Sequence, residues 1–170
     1  MPGVIREYNN IPQIQAALQE LNKCKLQVGV FAPEGSEQWI IAMVNEYGAE
    51  LKVTPKMRAF LHIKGLHLKG STQIIKIPER SFIRAGFDSC KEELEEQINK
   101  MLPLVLRLKL TPQTMYELIG AIAVSRIHEY IQSVRAPANH PFTIQDKGSS
   151  HPLINSGRMN QSITYKVVSA

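Results

Sequence analysis

An α+β fold is the expectation for this chain: a small, mainly antiparallel β-sheet with a basic hairpin, packed on two long α-helices, plus a flexible loop and a C-terminal strand. Three observations lead there. Apolar residues recur at three- and four-residue spacing from Met115 to Val134, as on the buried face of one long helix. Strict alternation at Leu26, Val28 and Val30, and again at Ile163, Tyr165 and Val167, gives strands with one apolar face. At 170 residues and 44% hydrophobic content the chain can bury one full core but not two, so residues 1–170 form a single domain.

Asn10 is placed to cap a first helix, with Pro12 in its opening turn and Ile11, Ile14, Ala17, Leu18 and Leu21 as its apolar stripe. That helix should end near Lys23 to Lys25. The strand around Leu26–Val30 is closed by Pro33-Glu34-Gly35. Ser36 then caps a second helix, in which Trp39, Ile40, Met43, Val44 and Tyr47 share a core-facing stripe and Gly48 supplies the left-handed C-cap.

Between Leu51 and Arg84 stand eight cations against the single carboxylate Glu79, a net charge of +7 that leaves −2 for the rest of a chain whose total is +5. Residues 57–68 and 73–77 favour extended structure around the turn cluster Lys69-Gly70-Ser71, with Gly65 as a bulge, which makes a basic hairpin. Its patch is Lys52, Lys56, Arg58, Lys64, Lys69 and Lys76. Three roles fit such a patch: a solvated hairpin face on which lysine blunts edge-to-edge pairing, a non-specific electrostatic contact with DNA, or a surface that meets an acidic neighbouring subunit.

Ser89 with Glu92 forms a capping box for the first long helix, whose apolar positions run from Leu94 to Val105 and which Pro103 should kink or end. Thr111-Pro112 starts the second by the N-cap and N1 rule. Its interior Gly120 costs about 1 kcal/mol relative to alanine, which suggests close approach of another helix or subunit there. Residues 135–152 change composition to Ala-Pro-Ala-Asn-His-Pro and Gln-Asp-Lys-Gly-Ser-Ser, a flexible loop or arm that orders against a partner. A tight turn follows and opens one helical turn at Ser156 before the terminal strand.

Three short runs carry a family resemblance: Asn45-Glu46-Tyr47-Gly48, Ile77-Pro78-Glu79-Arg80-Ser81-Phe82-Ile83, and Pro152-Leu153-Ile154-Asn155-Ser156-Gly157-Arg158-Met159-Asn160-Gln161-Ser162-Ile163. In this order they resemble the Asn-Glu-aromatic-Gly, Ile-Pro-x-Arg-Pro-Phe and Pro-Leu-Ile-x-x-Gly-Arg elements of tailed-bacteriophage neck proteins of the head-to-tail joining and tail completion type. Ser81 stands where that family usually has proline. The resemblance implies a structural virion protein that forms a homo-oligomeric ring at the neck and is made in the host cytoplasm. Its partners would be itself and neighbouring head, connector or tail-tube proteins. It also implies that Arg80, Phe82, Arg84, Gly157, Arg158, Met159 and Ser162 hold the fold or an interface, and that extended loops are what neighbouring subunits grip. Physics adds one supplement: a head-to-tail contact that closes needs two unlike faces, and the segregated charge supplies that asymmetry.

Enzymatic readings find little support. The five histidines (His62, His67, His128, His140 and His151) have no metal-ligand spacing, and Cys24 and Cys90 read as ordinary thiols in a reducing compartment. Nucleophile-elbow, phosphate-loop and dinucleotide fingerprints are missing. No cofactor and no metal is expected. Residues Met1 to Glu7 carry no secretory signal, and the apolar run from Met101 to Leu110 is too short to cross a membrane, so a soluble protein is expected.

Overall fold

A computed structural model describes residues 9–169; the start of the chain, where a secretory signal was sought, lies outside the described residues. The order of elements is α1 (Ile11–Lys23), β1 (Cys24–Val30), α2 (Glu37–Tyr47), β2 (Ala49–Lys52), α3 (Pro55–Ile63), β3 (Ile74–Ile77), α4 (Phe82–Leu106), α5 (Pro112–Ser133), α6 (Pro141–Lys147), α7 (Arg158–Gln161) and β4 (Ile163–Ser169). The fold is α+β, with the two long helices α4 and α5 packed on each other.

Two separate antiparallel pairs replace one continuous sheet. β1 and β4, from opposite ends of the described chain, pair from Cys24 opposite Ser169 to Val30 opposite Ile163. Both strands pack on α5. Gly120 of α5 permits this contact, because a Cβ there would lie 2.5 Å from the Tyr165 ring. Close approach is therefore real, and the approaching element is β4, not another helix or subunit. The second pair sets Ala49 opposite Ile77 and Lys52 opposite Ile74, forming a short basic ribbon.

That ribbon differs from the expected hairpin. Its outgoing arm is 49–52, and most of the stretch expected to be extended, 57–68, contains the helix α3. The cause is local: Thr54 Oγ1 accepts from the Met57 amide at 3.1 Å and Pro55 occupies the first turn, the same start signal that opens α5 at Thr111-Pro112. Gly65, with φ +89°, turns the chain after this helix and is no bulge. The return to β3 is held by Arg58, whose guanidinium donates to the carbonyls of Leu68, Lys69 and Thr72.

The first long helix begins at Phe82, seven residues before Ser89, and Ser89 is an interior residue whose hydroxyl donates to the Gly86 carbonyl. Pro103 is tolerated in its last turn, and the chain leaves through Leu108 at φ +57°. Residues 135–152 are not a plain loop: His140 Nδ1 accepts from the Phe142 amide, Pro141 opens α6, and Gly148 closes it in the left-handed region at φ +68°. In α1, Asn10 sits at the N-cap without a side-chain bond, while Asn9 Oδ1 accepts from the Ile11 amide at 3.0 Å. α7 opens one step after Ser156, with Gly157 at φ +78° as its N-cap.

The core has three connected parts. Phe82, Ile127, Ile131, Leu153, Met159 and Ile163 pack with Ala42; Cys90 and Leu94 pack with Ile119 and Ala123; Ala17 packs with Val105 and Met115. α2 meets this core through Ala42 and Glu46, so its expected apolar stripe is rotated outward. Ile40 and Tyr47 are 47% and 57% exposed.

Candidate functional site

The N-terminus of α4 is where the three runs that carry the family resemblance meet. Glu46, almost fully buried, accepts from the Ile83 amide at 2.9 Å and from the Arg84 amide at 3.1 Å. A carboxylate from α2 thereby satisfies two of the first amides of α4 and faces the positive end of its dipole, a task that Ser81, with no capping bond of its own, does not perform. Arg84 Nε donates to the same carboxylate at 2.9 Å, and its Nη2 reaches the Glu46 carbonyl at 2.9 Å and Glu79 Oε1 at 2.7 Å. Its guanidinium carbon lies 4.7 Å from the centroid of the Tyr47 ring. The hydrogen bond to Glu46 foremost holds Arg84 above the usual guanidinium range.

Arg80 ties a second region to this point. Its amide donates to the Asn45 carbonyl at 2.7 Å, its Nε to the Pro137 carbonyl at 2.7 Å, and its Nη2 to the Ala138 carbonyl and Asn139 Oδ1, both at 3.2 Å. The side chain is buried, which lowers its pKa, and each of these acceptors is a neutral oxygen. Phe82, between Arg80 and Arg84 in sequence, is fully buried against Ile127, Ile131, Leu153 and Met159.

In the third run Met159 is core, and Ser162 closes α7 by donating its hydroxyl to the Met159 carbonyl at 2.6 Å. Gly157 supplies the left-handed N-cap, while Arg158 is exposed and stands 3.8 Å from Glu37. Of the residues singled out in the sequence, Phe82, Arg80 and Met159 are therefore interior, and Arg84 and Arg158 face solvent. Glu46, which joins two of the runs, was not singled out. It lies inside the Asn-Glu-aromatic-Gly run, but no local pattern announces a cap delivered from 37 residues away.

The basic patch divides by what each cation already does. Arg58 is committed to backbone carbonyls, Lys64 lies 3.6 Å from Asp146, and Lys76 lies 2.7 Å from Glu50 opposite it on the ribbon. Lys52, Lys56 and Lys69 are exposed and form no ion pair among the described residues. Large apolar side chains share this region: Phe60 is 57% and Ile63 84% exposed. Between α2, the ribbon, α6 and the turn before α7 lies a groove of about 820 Å³ with Ile41, Val44, Leu51, Ile75 and Phe142 in its walls.

Other ionisable groups tie elements of the scaffold together. Arg126 of α5 holds Glu93 of α4 through two bonds of 2.7 Å and Glu129 through a third, which keeps the Glu93 carboxyl below the usual carboxylate range. Burial, with Glu93 nearby, raises the Cys90 thiol and so opposes thiolate formation. His128 Nε2 lies 3.0 Å from the Asn160 carbonyl. Among the described residues no group of three or more His, Cys, Asp and Glu side chains is placed to hold a metal, and no helix is long and apolar enough to cross a membrane. Comparison with family models, with curated proteins and with solved structures finds no match to this chain.

Proposed function

We propose that this chain is a structural virion protein that acts in phage head–tail joining or tail completion and assembles as a homo-oligomeric ring at the neck. The observation that carries the reading is the convergence of the three resembling runs on one packed junction, where Glu46 caps α4, Phe82 fills the core and Met159 closes it. Runs separated by up to a hundred residues thus form a single structural unit. Exposed apolar side chains on the ribbon (Leu51, Ile74) and on α3 (Phe60, Ile63) fit a surface that a neighbouring subunit covers. The task is geometric, with no bond made or broken.

The test is reconstitution. Heads and tails from particles lacking this protein are mixed with and without it, and joined particles are counted by electron microscopy. Restoration of joining, with a ring at the neck, supports the reading; heads and tails that ignore the protein overturn it. A second reading, non-specific nucleic-acid binding, draws on the uncommitted Lys52, Lys56 and Lys69. It requires duplex DNA to be retained at low salt, with a steep loss as salt rises.

A further inference from the structure

The groove beside the ribbon is unusual in its charge. Four cations line it (Lys76, Arg80, Lys147 and Arg158) against the carboxylate Glu37, with Lys76 paired to Glu50 at 2.7 Å and Arg158 3.8 Å from Glu37. Lys147 donates to the carbonyls of His151 and Ile154, and Arg80 to carbonyl and amide oxygens, so neither meets an anion. Desolvation and the nearby Arg80 both lower the Lys147 pKa, as expected for two cations sharing one wall. The walls are otherwise apolar, and Ile40, Ile41 and Leu51 remain substantially exposed there. A volume of about 820 Å³ suits the side chains of a short amphipathic helix segment.

The complementary surface occurs on the same chain. On the outer side of α4, Asp88, Glu92 and Glu95 fall on one stripe at about 100° per residue, all three exposed and none in an ion pair among the described residues. Phe87 and Ile98, 41% and 36% exposed, run along one flank of that stripe. Two cations lie beside them, Lys91 between the stripe and that flank and Arg84 one turn before Asp88, and Glu93 is turned inward to Arg126. Groove and stripe have no residue in common.

We infer that the groove receives the outer face of α4 from a second copy of this chain, apolar side chains against the apolar walls and the Glu92 and Glu95 carboxylates against the groove cations. The contact joins unlike faces, so it repeats from copy to copy and closes into a ring or runs on as a filament according to its rotation. It rests on the assembly reading and names the two faces that assembly uses.

The experiment is sedimentation equilibrium of the full chain with two charge-reversed variants, Lys76→Glu with Arg158→Glu on the groove and Glu92→Lys with Glu95→Lys on α4. All four positions are exposed, so circular dichroism should be unchanged. The wild type should associate beyond a dimer, each variant alone should weaken association by roughly ten-fold or more, and mixing the two should restore it, because every reversed face then meets its reversed complement. Ile41→Asp, which alters no existing charge, should weaken association as well. A monomeric wild type, association that stops at a symmetric dimer, indifference to the reversals, or a mixture that does not recover would each overturn this contact. Failure here with joining intact in the reconstitution leaves the neck reading standing; recovery here with joining unaffected removes the neck reading and keeps the contact.

Discussion

Glu46 is a carboxylate in the interior that answers for three donors at once: two amides at the start of α4 and the Arg84 guanidinium. Glu46→Ala would leave both amides without an acceptor and should lower stability by about 2 kcal/mol, read as a shift in urea midpoint at constant slope. Glu46→Gln keeps one acceptor and should cost less. An equal loss for both would mean that the charge, not the cap, matters. Gly120 is the other residue on which packing turns. Gly120→Ala gains helix propensity of about 1 kcal/mol but drives a methyl into the Tyr165 ring, and overpacking of that kind costs about 1–3 kcal/mol, so net destabilisation is expected. Pairing it with Tyr165→Ala should return part of the loss in a double-mutant cycle; strict additivity would sink the argument.

Segment 135–152 illustrates how an element gains order from elsewhere. α6 is only seven residues long, and the chain leading into it is anchored by the Arg80 side chain at Pro137, Ala138 and Asn139. Arg80→Ala should release that anchor, and trypsin should then cut at Arg135 and Lys147 faster than in the wild type while cleavage in α5 is unchanged. α4 and α5 are joined differently, by the Arg126 fork onto Glu93. Because this pairing depresses the folded Glu93 pKa, its contribution is present above the ordinary value of 4.5 and is lost as pH falls through the lower folded value. Stability should therefore decline on the acid side, and Glu93→Gln should flatten that limb of the pH profile without affecting the neutral plateau's shape. As the Arg126–Glu93 pair is partly open to solvent, the effect should be small and weaken further with salt.

At the level of the entire molecule the charge distribution and the exposed apolar surface point the same way. A +7 stretch concentrated between Leu51 and Arg84 would serve poorly as a mere solubilising surface when Phe60, Ile63 and Ile74 stand exposed among its lysines. On the proposed assembly such a surface is one that a neighbouring copy covers, with the net-negative remainder of the chain as its complement. Salt should therefore weaken self-association far more than it weakens folding, which sedimentation and thermal melts on the same samples would compare.

Much of the architecture was written in local pattern. The stripe of α5, the Thr111-Pro112 start, the Ser36 cap and the alternation in β1 and β4 each follow from spacing and capping chemistry between neighbours in the chain. The start of α3 carries the same signal at Thr54-Pro55, and there the helix forms despite the extended propensity of the residues after it. Other features had no local cause. α4 starts at Phe82 because a carboxylate from α2 caps it, α2 turns Ala42 and Glu46 inward because the core lies there, and the groove exists only where four elements meet. Capping and periodicity act over a few residues and can be read along the chain; burial and long-range capping depend on which surfaces fold together, and that is fixed only once the core has formed.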